Sequence, residues 1–505
     1  TLETDDGERA TRIDSVPAAM TKPESAILID GSIAVLPFVD MSAAGDHEYF
    51  ADGISEEILN ALAKIPQLLV AGRTSSFHYK NQNIDIREIG AALNVSHILE
   101  GSVRKQGERV RVTAQLIRSK DGFHEWSETY DGTLADIFDL QDNVSHAIAS
   151  ELKLQLNIDA NVRLADTLTI NQHAYDLYLR ARSNLYGDTS EKNYASCFAL
   201  LNEALELDPS FSAAWALLSR VHLNHSAYVW TGSAEASFQQ AYKTAEKALK
   251  IDPHCADALA VVSQCYMASG KALLAYEQAK RAIDRQPHVP ALIHNWGHIN
   301  CQLGYCGEAI KAMARAVEID PLYSGYWNNY AVALQNIGHY EHAEHPAQRA
   351  AELGDFAGHT TLAWNALARG DGEAAEAHLL DMSDAMAAQL SSDEDERALW
   401  KTVSRAQFLG SEADRATIIG YLENQMQQPQ FNPTGISING AAQFGLIDSF
   451  FDQWPKTYFE KGNLGLLLWS DFEWAQNIRN HSGFPKFAEQ EGWTDVWQKY
   501  GKAEA

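Results

Sequence analysis

His294 and His298 stand four residues apart, with Cys301 about one helical turn further on, so three metal-ligating side chains could share one helix face. No carboxylate lies nearby in sequence to complete such a set. The three therefore read as groove lining, and no metal is expected. His339, His342 and His345, spaced by three, drift around a helix and read as a solvated helix start. Asp46, His47 and Glu48 could pair as acid and base, but carboxylates favoured at the positive end of a helix account for them more simply. Arg104, Lys105, Arg109, Arg111, Arg118 and Lys120 form a basic island. Arg104, Lys105, Arg109 and Arg111 would be its face toward an anionic ligand or partner; the plainer reading is charge that keeps a sheet edge from pairing. The sequence has no phosphate loop, no strand–turn–helix nucleophile motif and no His-Glu-x-x-His helix. The expectation is a binding protein rather than an enzyme, with no cofactor.

Composition narrows the class. The 505 residues exceed what one core usually serves, so two or three domains are expected. Hydrophobic content of 46% and charged content of 21% are those of a folded chain. A formal charge of −27 opposes direct binding to nucleic acid or anionic lipid. No run approaches the roughly 18 apolar residues of a membrane span. The first thirty residues are polar, acidic and aperiodic, like a linker, and the chain opens on Thr1, which suggests a processed or excised piece. The five cysteines all lie between Cys197 and Cys306. Cys301 and Cys306 could bridge in an oxidising compartment, but free buried thiols fit better.

The elements that would position these residues are periodic. Ala204-Leu-Glu-Leu-Asp-Pro209, Ala248-Leu-Lys-Ile-Asp-Pro253, Ala282-Ile-Asp-Arg-Gln-Pro287 and Ala316-Val-Glu-Ile-Asp-Pro321 repeat one statement, a helix end followed by a proline. Pro253, Pro287 and Pro321 are 34 apart, and Pro209 precedes Pro253 by 44, one period plus ten. A 34-residue helix–turn–helix period is the tetratricopeptide signature. Five or six units are expected over 171–390, with Trp296 and Trp327 wedged between successive pairs. Positions 2, 5, 9, 12 and 13 of each first helix should line a concave groove. They select Arg220, Leu223, Asn224, Gln264, Met267, His294, His298, Cys301, Gln302, Asn328, Gln335 and Asn336, a polar and nearly uncharged set. Such side chains suit an extended peptide backbone or a small polar ligand. A segment of the chain itself could also occupy the groove. Residues 391–505 read as degenerate helices, at 399–409, 414–427 and 439–458, and an aromatic-rich cap containing Trp469, Phe472, Trp474, Phe484, Phe487, Trp493, Trp497 and Tyr500.

Ahead of a short linker at 158–170, residues 31–157 alternate strand and helix. A buried strand at 33–38, a helix at 48–65, a strand at 68–71 and a helix at 84–93 imply parallel pairing. Residues 95–104 and 109–117 flank Gln106-Gly107 as a hairpin, with a further strand at 123–130 and a closing helix at 134–156. In the second hairpin strand Val110, Val112, Ala114 and Leu116 face one side and Arg109, Arg111, Thr113 and Gln115 the other. The fold class is thus multidomain: an α/β domain with a mixed sheet, then an all-α solenoid and its cap.

Ile33-Ala-Val-Leu-Pro-Phe38, Tyr49-Phe-Ala-Asp-Gly-Ile-Ser-Glu-Glu57, Leu99-Glu-Gly-Ser-Val-Arg104 and Arg111-Val-Thr-Ala-Gln-Leu-Ile117 occur in order, followed by Trp126 and Ile137-Phe-Asp-Leu-Gln141. Over about 32–156 this resembles the TolB amino-terminal-like α/β domain. In that family the domain commonly follows a single membrane span and precedes tetratricopeptide repeats, with a winged-helix or nucleotide cyclase domain on the cytoplasmic side. The Arg479, Phe484, Phe487, Gly492 and Trp497 segment is similar to the closing segment of such chains. The resemblance implies a periplasmic sensing module of a membrane-anchored regulator, tethered to the inner membrane only through a span upstream of this chain. Its partner would be a protein, a peptide or a small polar molecule, and a homodimer is allowed. The alternative is a freestanding assembly scaffold, in the cytoplasm or the envelope. A hydrolase with its site at the domain junction is a third and remoter reading.

Overall fold

The computed structural model describes residues 29–42, 45, 47–65, 67–133, 137–156, 169, 171–185, 190–228, 234–390, 402, 405–406, 411–426, 444–453 and 468–503. Most of the expected linkers at 1–30 and 158–170, Asp46, and much of the expected helices at 399–409 and 439–458 lie outside these residues; Ile29 and Asp30, expected in the linker, begin the first strand of the sheet.

A mixed sheet opens the chain. It contains β1 (Ile29–Val35), β2 (Val39–Asp40), β3 (Leu69–Val70), β4 (Val95–Gln106), β5 (Arg109–Arg118) and β6 (His124–Thr133). Their order is β3-β1-β4-β5-β6, with β2 also on β4; β1 pairs in parallel with β3 and β4, and β4-β5-β6 is an antiparallel meander. Along β5 the valines, Ala114 and Leu116 are buried while Arg109 and Arg111 are exposed, as the alternation requires. Helices α1 (Glu48–Leu62) and α4 (Ile137–Leu156) cover the apolar side, and α3 (Ile86–Leu93) packs by Ile89 and Leu93 on the other. The short α2 (Arg73–Phe77) follows β3.

Six helix pairs follow among the described residues: α5 (Gln172–Leu185) with α6 (Glu191–Leu207), α7 (Ser212–Tyr228) with α8 (Ala234–Ile251), and α9 (Ala256–Ala268) with α10 (Ala272–Arg285). Then come α11 (Pro290–Gln302) with α12 (Cys306–Ile319), α13 (Ser324–Gln335) with α14 (Tyr340–Glu352), and α15 (Phe356–Ala368) with α16 (Gly372–Leu390). Fully buried alanines, among them Ala275, Ala282, Ala309, Ala316, Ala343 and Ala350, let paired helices approach. Trp327 is buried and Trp296 bridges two apolar clusters, as the repeat register demands. Eight of the ten extra residues of the second pair lengthen its two helices. α7 has 17 residues against 13 in α9, and α8 has 18 against 14 in α10, about one turn each. Successive first helices touch one another, whereas successive second helices scarcely do, so the array bends with its first helices inside.

The sheet and the array are packed as one body. Phe50, Ile54 and Leu116 of the α/β domain share a continuous core with Tyr175 and Leu179 of α5 and with Phe211 and Val221 at the second pair. Gly53 lets α1 and α5 cross closely, since a Cβ there would stand 2.7 Å from Leu179. Arg182 of α5 is buried and donates to Glu57 Oε1 at 2.5 Å and to the Gly53 carbonyl at 3.2 Å. A second contact lies at the turn between α12 and α13. There the buried Asp320 carboxylate accepts from Ser75 N at 2.7 Å and Ser75 Oγ at 2.5 Å, Gly72 N–H donates to the Ile319 carbonyl, and Leu322 N–H donates to Ser75 Oγ.

The chain continues with α17 (Glu412–Met426), α18 (Ile447–Gln453), α19 (Glu473–Asn480), α20 (Phe484–Gln490) and α21 (Trp493–Tyr500). The aromatic tail does more than cover the last helix. Phe472 and Trp474 pack against Trp364 of α15, but Trp469, Trp493 and Trp497 run back along the turns inside the third and fourth pairs. Trp469 Nε1 donates to the Gln302 carbonyl and Trp497 Nε1 to the Leu303 carbonyl, while a Cβ on Gly304 would meet the Trp469 ring at 2.9 Å.

Candidate ligand-binding groove

The first helices carry amides, hydroxyls and imidazoles along the inner face, and most of these bond across the seams between pairs. Asn295 Nδ2 donates to Ser263 Oγ and accepts at Oδ1 from Gln264 Nε2, both at 2.9 Å, joining α9 to α11. Asn329 Nδ2 lies 2.6 Å from His294 Nε2, joining α11 to α13, and Asn336 Nδ2 donates to Cys301 Sγ at 3.1 Å. Thr361 Oγ1 donates to Asn328 Oδ1, and Gln335 Nε2 donates to both Asn365 Oδ1 and the Thr361 carbonyl, joining α13 to α15. Burial in a helix seam leaves a polar group costly unless it is paired, so this ladder fixes the rotation of each pair on the next.

The selected residues thus divide in two. Leu223, Met267, Cys301, Gln302, Gln335 and Asn336 are buried, Met267 in a cluster with Trp469 and Trp493 of the tail and Gln335 inside the ladder. Arg220, Asn224, Gln264, His294, His298 and Asn328 keep part of their surface open. Within that open set the His294 and His298 rings lie 6.1 Å apart, His298 Nδ1 sits 3.2 Å from Gln302 Nε2, and the Tyr326 ring flanks His294 at 4.9 Å. Burial, then His298 and then Arg220, push His294 down to about 3; burial pushes His298 down to about 4. Both are neutral imidazoles at physiological pH. Such a strip can exchange hydrogen bonds with an amide backbone or a neutral polar molecule, and the Arg220 guanidinium is its source of positive charge.

The basic island is largely exposed, but most of its charges are taken up by partners within the protein. Arg111 pairs with Asp131 at 2.6 Å, Arg118 with Glu125 and Asp121, and Lys105 with Asp176 of α5 at 3.3 Å, while Arg104 Nε donates to the Met41 carbonyl. Arg109 is exposed at the hairpin. Glu48 opens α1 and pairs with Lys80 at 3.0 Å. His339 precedes α14, and its ring lies 5.5 Å from that of His342, while His345 sits edge-on to Trp327. All five cysteines are free thiols; burial pushes those of Cys265 and Cys301 up to about 12. No described helix is long and apolar enough to cross a membrane.

No family model matches the chain. It is 36% identical over 236 residues to a protein named "Putative adenylate cyclase 3" from Rhizobium meliloti (strain 1021). That match takes in 47% of this chain and 40% of the relative, so the chain spans well under half of the relative's length. Among solved structures it is similar to PilW, a type IV pilus biogenesis factor, at a TM-score of 0.35 and 16% identity over 45% of this chain and 99% of that one. It is also similar to pilF of Pseudomonas aeruginosa, at 0.34 and 19% over 46% and 97%, and to YrrB, described as a tetratricopeptide protein with an unusual peptide-binding site, at 0.28 and 16% over 37% and 91%. The helix pairing and 34-residue register described above, not these scores, define the array as a tetratricopeptide-type solenoid.

Proposed function

We propose that the chain is a non-catalytic protein-interaction module that receives a peptide or protein segment on the open strip of its first helices. The observation that carries this reading is the partly exposed, nearly uncharged set Arg220, Asn224, Gln264, His294, His298 and Asn328, on an inner face whose turn edges are taken up by the sheet and the aromatic tail. A backbone laid along it would find amide donors and acceptors with little desolvation of charge.

The module belongs, in this reading, to a longer signalling protein. Supporting it are the TolB-like order of motifs on a mixed sheet and the identity shared with part of a protein named as a cyclase. The periplasm, with a membrane tether outside this chain, is the compartment this layout favours. The α/β domain would sense the state of the array through the α5 and Asp320 contacts.

Photo-crosslinking in cells tests the reading. A crosslinker at Asn224 should capture a discrete partner that one at Lys280, an exposed position on α10, does not. Equal capture at both positions overturns the groove assignment. A gene whose product has no membrane span and no second domain outside these residues overturns the sensor and leaves the freestanding scaffold.

A further inference from the structure

Three side chains of the last helix pair converge without any role in the ladder or the tail. His359 lies on α15, and His378 and Asp381 lie on α16, three apart and therefore on one face. One ligand atom from each falls within 4.8 Å of the other two. Both imidazoles are partly buried and the carboxylate is exposed. His359 Nδ1 is buried and has no hydrogen-bond partner, which is costly for a ring nitrogen unless something occupies it.

We propose that His359, His378 and Asp381 form a binding site for a divalent transition metal, zinc by its chemistry, that staples α16 to α15. Two neutral imidazoles and one carboxylate, with a fourth position left to water, make an open tetrahedral set. Imidazole donors disfavour magnesium and calcium, which take oxygen. In a tetrahedral zinc site with bonds near 2 Å, ligand atoms stand about 3.3 Å apart. The trio therefore needs to close by at most roughly 1.5 Å, a movement to which the exposed Asp381 can contribute by rotation. His294 and His298 differ in two respects: a ring nitrogen of each faces Asn329 or Gln302, and among the described residues no carboxylate joins them. Next to the trio, Leu379 and Met382 pack with Trp364 and Phe472, so the metal would lock the helix on which the aromatic tail rests.

The test uses the untagged full chain, stripped with chelator and titrated with zinc by calorimetry and with cobalt by visible absorption. One equivalent should bind, and cobalt should give the intense visible bands of a tetrahedral site. His359→Ala and His378→Ala should each weaken zinc by more than about 100-fold, beyond the range seen on losing an outer-sphere partner. Asp381→Asn should weaken it by at least about tenfold, and His298→Ala should leave it unchanged. Should an alanine variant fold poorly by circular dichroism, His359→Gln replaces it. Absence of a stoichiometric zinc equivalent in the native chain, octahedral cobalt spectra, or affinity that survives both histidine substitutions would overturn the site.

Discussion

Replacing Asp320 by alanine should release the α/β domain from the array at one of its two anchors. The carboxylate accepts from Ser75 N and Ser75 Oγ in a buried setting. Each charge-assisted bond contributes about 1.5–3 kcal/mol. Burial pushes the Asp320 carboxyl pKa up and so opposes the charged form, which favours the low end and a loss of about 3 kcal/mol for the pair. Asp252 holds the equivalent place one Ile-Asp-Pro earlier but is exposed and accepts only locally, from His254 N at 2.9 Å. Its alanine variant should cost about 1 kcal/mol or less. Asp320→Asn keeps an acceptor and should fall between them. Gly72→Ala attacks the same contact sterically, because its Cβ would stand 2.3 Å from Asp320 Cγ, while the backbone at φ −61 and ψ 153 suits any residue. Hydrogen exchange of residues 69–77 reads the outcome. In Asp320→Ala it should accelerate by about 100-fold, 3 kcal/mol at 1.4 per decade, with little change in Asp252→Ala. Equal and small effects in the two variants would refute the anchor.

The depressed pKa of His294 makes the array acid-sensitive: between an ordinary value of 6.5 and about 3 the unfolded chain binds the extra proton, so stability falls as pH drops below 6.5. At about pH 4.5 the cost is about 2 kcal/mol after allowance for partial exposure, and His294→Gln should flatten the pH dependence of the urea midpoint by that amount; an unchanged slope counts against it. Trp469→Ala should cost about 3–5 kcal/mol and free the tail, seen as early proteolytic release of residues 468–503, because the ring is buried against Trp493 and Trp497. A proteolysis pattern like that of the unaltered chain would contradict it.

The repeats were legible because a proline every 34 residues and small residues at helix contacts are local signals of a spacing that packing enforces. The hairpin was legible for the same reason, its alternation and Gly107 acting over a few residues. α2 escaped notice because Arg73-Thr-Ser-Ser-Phe77 is short and polar, and its position follows from the array rather than from its own period. Nothing adjacent to Asp320 distinguishes it from Asp252, since the difference lies in Ser75, 245 residues away. Gln335 and Asn336 follow the period of the first helices, yet periodicity does not say whether the neighbouring pair or a ligand takes the amide; the neighbouring helices take both. His359 and the His378–Asp381 pair meet only once α15 and α16 are folded together, so their spacing along the chain gave little sign of a trio.

A solenoid joined to its neighbour at one end behaves as a free spring, changing pitch at little cost. This one is clamped to the same α/β domain at α5 and again at Asp320, four helix pairs along. Tightening or relaxing the coil between those clamps must load the sheet with torque. The extra turn in α7 and α8 lies inside the clamped span and sets its resting length.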